Sequence, residues 1–139
     1  MYQTYRTALI ATILCLALLY ALLLLCHCRQ RALLLAACRA VVYTPQHEHF
    51  GIVPLEAMAS SRPVIAVNSG GPTESVISGS TGFLCEPTAA AFAEAYQQLL
   101  DAKAAAKMGW TARQHVVDKF SRASFGATLN GQVQQLAAD

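Results

Sequence analysis

The chain has 139 residues, the size of about one domain, and leaves no room for a large two-domain enzyme. Hydrophobic residues make up 55% and charged residues 13%, against roughly 25% charged in a typical soluble domain, which excludes intrinsic disorder. The net charge of +2 divides into +4 over residues 1–44 and −2 over residues 45–139. No basic stripe exists to neutralise a phosphate backbone, so nucleic acid is not an expected partner.

In chain order, the first feature is apolar. The 22 residues between Arg6 and Arg29 carry no formal charge, long enough to cross ~30 Å of hydrocarbon at ~1.5 Å per residue. Residues 1–28 are therefore expected to be a transmembrane segment. A cleaved signal peptide is the main alternative, but the run exceeds a typical ~7–15-residue apolar region and Cys26-His27-Cys28 makes a poor cleavage site. Arg29, Arg31 and Arg39 outnumber Arg6, so residues 40–139 are expected on the cytosolic side. The five cysteines are an odd, lopsided set with no CxxC pair, so neither a disulfide framework nor a bound metal is expected.

Ala40 to Thr44 is a β-branched run stopped by Pro45, which predicts a buried strand. A loop to Phe50 follows, and then a mostly buried helix over 51–60, with Pro54 in its first turn and Ile52, Val53, Leu55, Ala57 and Ala59 as apolar faces. Residues 63–67 are a second strand; their continuous hydrophobicity points to a parallel sheet covered on both faces. After the turn Asn68-Ser69-Gly70-Gly71, Pro72 opens a short helix, and residues 81–85 form a third strand. Thr88 is expected to cap a helix reaching about Ala102, with Phe92, Ala95, Tyr96 and Leu99 on its core stripe. A further helix covers 103–120, and Ser121 caps a last one weakened by Gly126 and Gly131. The order is that of half a doubly wound α/β sheet, and three strands suggest a partial domain over residues 29–139.

Glu48 and Glu56, separated by seven residues, bracket the start of the helix at 51–60. Free N–H groups and the positive dipole end make that start an anion site suited to a phosphate. Gly51 permits close approach, Glu48 offers a carboxylate to hydroxyls on one side, and Glu56 can accept both hydroxyls of a ribose on the other. The second loop, Gly70-Gly71-Pro72-Thr73, also lies between a strand and a helix, where open parallel sheets bind ligands. Neither loop is a Walker A or GxGxxG sequence. The plain alternative is that the two glutamates are helix-start charges favoured by the dipole.

These residues resemble the E-x7-E signature of retaining glycosyltransferases of family 4, which have the two-Rossmann-domain GT-B fold. The longer pattern over 43–45, 48–58, 63–72, 74–75 and 81–87 is similar to members that transfer mannose from GDP-mannose to a dolichol-linked oligosaccharide at the cytosolic face of the endoplasmic reticulum. The resemblance implies that Glu48 is the catalytic carboxylate, at the donor-sugar hydroxyls. Phe50, Gly51 and Ile52 would lie near the sugar and diphosphate, and Glu56 would hold the ribose. Gly70, Gly71, Pro72 and Thr73 would line the same cleft, with Glu74 behind. No cofactor and no metal are implied; the partners are GDP-mannose, a lipid-linked oligosaccharide and the membrane. The family's acceptor domain and its basic phosphate clamp have no counterpart in this sequence, so activity of this chain alone is not expected. The other reading is a membrane-anchored interaction or regulatory fragment that keeps the donor-binding fold without turnover.

Overall fold

The three predicted apolar runs pair side by side in the computed structural model, which describes residues 29–138. The strands are β1 (Val41–Tyr43), β2 (Val64–Val67) and β3 (Gly82–Cys85), all parallel in the order β1-β2-β3. Val41 stands opposite Val64, and Tyr43 opposite Ala66; on the other side Ile65 pairs with Phe83 and Val67 with Cys85. Between and after them come α2 (Ile52–Ala59), α3 (Pro72–Ser75), α4 (Ala89–Gln98), α5 (Ala102–Phe120) and α6 (Arg122–Ala138), while residues 29–37 are helical (α1). From Leu35 onward the chain forms one compact unit.

The strand period of two divides the core between the faces of the sheet. Val64 and Ala66 join Tyr43, Leu55, Ala57, Met58 and Ala112 in one cluster. Ile65 and Cys85 join Ala95, Leu99 and Ala105 in the other. All four residues of β2 are buried, as a central parallel strand covered on both faces requires. Burial, with Glu94 close by, pushes the Cys85 thiol up, so it remains an inert core group.

The turn between α2 and β2 makes two of the contacts that order its surroundings. Arg62 donates through Nε to the Leu35 carbonyl at 2.9 Å and also to the Ala36 carbonyl, a cation at the last carbonyls of α1. Gly109 packs on the turn between α2 and β2: a Cβ there would lie 2.1 Å from the Ser61 carbonyl oxygen. With Ala105 and Ala112 it forms a buried small-residue stripe on α5, which lets that helix approach closely.

Several expectations need correction. The fourth helix ends at Gln98 rather than near 102, because Asp101 caps a new one by accepting from the Lys103 amide at 3.0 Å. Tyr96 is half exposed, since the buried stripe of α4 passes through Ala95 and Leu99. Ile52 and Val53 also face outward, at 58% and 38% exposed; α2 buries Pro54, Leu55, Ala57 and Met58 instead. The Thr88 cap is present, with its side chain accepting from Ala91, and the Ser124 amide donates to Ser121 Oγ. The apolar segment 1–28 lies outside the described residues. Among those described, no helix is long and apolar enough to cross a membrane.

Candidate functional site

Both candidate loops leave the carboxyl ends of adjacent strands, so the β1–β2 pairing brings them together. The loop after β1 carries Glu48; the loop after β2 carries Gly70 and Gly71. Their backbones touch directly: the Gly71 amide donates to the Glu48 carbonyl at 2.7 Å. A Cβ on Gly71 would lie 2.1 Å from the Phe50 carbonyl oxygen, a distance no side chain tolerates. Gly70 has φ 63° and its missing Cβ would meet the Glu48 carbonyl oxygen at 2.4 Å. The His47 amide adds a longer bond to Ser69 Oγ at 3.4 Å. His47 itself adopts a left-handed φ of 58°, an uncommon backbone conformation held here by the loop contacts around it.

The start of α2 lies next to this clasp. Gly51 is its N-cap with φ 73° and no side chain caps the helix, so the first amides have no capping side chain competing with a ligand anion. Eight residues of aligned peptide dipoles add positive potential there. Ile52 and Glu56 are four residues apart and share one helix face. Ile52 is exposed and Glu56 half-buried, so that face is open to solvent at the helix start. Glu48 is half-buried, and its Oε2 accepts a hydrogen bond from the Tyr43 hydroxyl.

The second loop is stiffened from within. Thr73 Oγ1 donates to the Gly70 carbonyl at 2.7 Å, so its proton is used to hold the turn, leaving only its lone pairs toward a ligand. Pro72 is buried and starts α3. The Ser75 carbonyl meets His115 Nε2 at 3.0 Å, His115 packs edge-on against Phe120 at 5.7 Å, and Phe120 packs edge-on against Phe50 at 6.4 Å. The end of α5 thereby braces both loops. Sequence reasoning missed Tyr43, His115 and Phe120 as parts of the site; only Tyr43, inside the motif, carried any signal. A cavity of about 360 Å³ lined by Val42, Thr44, Gln46, Val67, Thr88 and Phe92 opens at the same carboxyl edge of the sheet.

A parallel sheet with clasped loops at its carboxyl edge and a helix start without a side-chain cap, preceded by Glu48 and followed by Glu56, is the arrangement in which open α/β sheets bind ligands. The chain belongs to the family described as glycosyl transferases group 1, which matches over residues 26–115. It is 48% identical over 108 residues to the α-1,3/1,6-mannosyltransferase ALG2 of Dictyostelium discoideum, covering 77% of this chain and 26% of that protein. To the α-1,3/1,6-mannosyltransferase ALG2 of Homo sapiens it is 49% identical over 109 residues, covering 78% and 26%. The chain thus spans about a quarter of the length of these curated relatives. Among solved structures, sucrose-phosphate synthase from Thermosynechococcus elongatus matches with a TM-score of 0.60 and 36% identity, over 70% of this chain and 25% of that one. Anabaena HepE in complex with UDP-glucose matches with a TM-score of 0.59 and 30% identity, over 76% and 29%. The parallel α/β sheet is thus shared with glycosyltransferases of the GT-B kind.

Proposed function

We propose that residues 29–139 are part of the donor-binding domain of a retaining mannosyltransferase that uses GDP-mannose and a dolichol-linked oligosaccharide in N-glycan precursor assembly. Residues 1–28 would anchor it in the endoplasmic reticulum membrane, with residues 40–139 in the cytosol. The observation that carries the reading is the clasp of the Gly71 amide on the Glu48 carbonyl, which sets one carboxylate beside an uncapped helix start while Glu56 stands on that helix. The likeness to α-1,3/1,6-mannosyltransferases supports mannose as the sugar.

In this reading the first amides of α2 receive the diphosphate, Glu56 accepts the ribose hydroxyls, and Glu48 accepts hydroxyls of the mannose. Bond cleavage at the anomeric carbon leaves negative charge on the diphosphate, and cationic donors aimed at that charge are worth a few kcal/mol each. Arg39, Arg62 and Arg113 are engaged elsewhere, on the carbonyls of Leu100, of Leu35 and Ala36, and of Ala59. In this reading the 139-residue chain by itself binds the donor without transferring mannose; the other reading is an interaction or regulatory role that keeps the donor-binding fold.

Equilibrium binding of GDP-mannose and UDP-glucose to the purified chain tests the donor. Tighter retention of GDP-mannose supports the reading; a preference for UDP-glucose, or no binding of either, contradicts it.

A further inference from the structure

We propose that Tyr43 is a positioning residue that holds the Glu48 carboxylate in its donor-facing orientation. This rests on the reading of Glu48 as the sugar contact.

Tyr43 ends β1 opposite Ala66 and is only 8% exposed, packed in the cluster that holds Leu55, Ala57 and Met58. Its ring is therefore fixed by the core rather than by the loop. From that position the hydroxyl donates to Glu48 Oε2. Gly51 closes over the same ring: a Cβ there would lie 3.3 Å from the Tyr43 oxygen and 3.5 Å from Cε1. The phenol is thus held between the carboxylate it serves and the start of α2.

Glu48 is consequently held at two points. The Gly71 amide fixes its backbone and Tyr43 fixes its side chain. A carboxylate offers about four lone-pair sites, so one bond to Tyr43 leaves Oε1 and a further site on Oε2 for sugar hydroxyls. Without the phenol, the side chain regains rotamer freedom that sugar binding must remove again. The hydroxyl is also the reason for tyrosine rather than phenylalanine here, since the apolar ring alone would fill the core equally well.

Tyr43→Phe keeps the ring and removes only the donor. In the unliganded 139-residue chain, three-bond NMR couplings should report one dominant Glu48 rotamer, and averaged rotamers in Tyr43→Phe. By calorimetry, Tyr43→Phe should weaken GDP-mannose about three- to tenfold, the worth of one hydrogen bond, and leave GDP unchanged. In the Glu48→Ala background the same substitution should have no effect. A single Glu48 rotamer retained in Tyr43→Phe, an equal loss for GDP and GDP-mannose, or an undiminished loss in the Glu48→Ala background would overturn the proposal. If the wild-type chain binds GDP and GDP-mannose equally, the reading of Glu48 as the sugar contact fails, and the rotamer couplings then decide the role of Tyr43 by themselves.

Discussion

The Gly71 amide donates to the Glu48 carbonyl at 2.7 Å, and this one bond joins the two loops on which the site is built. The loops meet because β1 and β2 are parallel neighbours, which puts both loop starts at the same edge. With backbone against backbone, neither loop can shift without the other. The carboxylate of Glu48 then takes its place relative to α2 from the sheet itself.

Gly71→Ala should break this junction. The new Cβ would meet the Phe50 carbonyl oxygen at 2.1 Å, a backbone atom that cannot yield as a flexible side chain would. The expected outcome is a loss of about 1–3 kcal/mol in urea unfolding, the cost of an unmade buried hydrogen bond, together with weaker donor binding. Unchanged stability and binding would show that the loops can separate freely.

Gly109→Ala should destabilise the chain without involving any residue assigned to the donor. Its Cβ would sit 2.1 Å from the Ser61 carbonyl oxygen, so α5 would have to move off the α2–β2 turn. Overpacking of this kind typically costs about 1–3 kcal/mol, although alanine is the better helix former by roughly 1 kcal/mol. A lower urea midpoint is expected; a raised midpoint would mean the contact is looser than 2.1 Å implies.

Asp101→Ala should remove the cap that separates α4 from α5. The Lys103 amide loses its acceptor, which typically costs about 1 kcal/mol. Thermal unfolding should shift down accordingly, and a null result would assign the break between the helices to packing rather than to the cap.

The strands were legible because continuous apolar runs between turn residues, such as Pro63 to Val67, admit little else in a chain of this composition. The helix after Gly51 was legible because Pro54 falls in its first turn and apolar residues follow, while Glu48 and Glu56 stood out by their spacing. The break at Asp101 was not, because the alanine-rich stretch 102–106 continues a helical pattern and one aspartate carries the whole signal. Tyr96 was misplaced because its apolar ring suggested core, whereas α4 turns Ala95 and Leu99 inward. The bonds from Gly71 to Glu48 and from Tyr43 to Glu48 depend on tertiary register, and a single sequence carries no trace of register. The bracing of Ser75 and Phe50 by His115 and Phe120 is more remote still, since it joins residues about forty or more positions apart through the fold of α5.

Calorimetry of GDP and GDP-mannose with the Glu48→Gln and Glu56→Gln chains tests the central claim most directly. Each substitution keeps size and removes charge. Glu56→Gln should weaken both ligands by about 1.5–3 kcal/mol, the range for hydrogen bonds to a charged group, because both carry the ribose. Glu48→Gln should weaken GDP-mannose by a similar amount and leave GDP nearly untouched. Equal losses for the two ligands in Glu48→Gln would show that this carboxylate does not contact the sugar, and unchanged binding in both variants would return the pair to charges that merely favour a helix start.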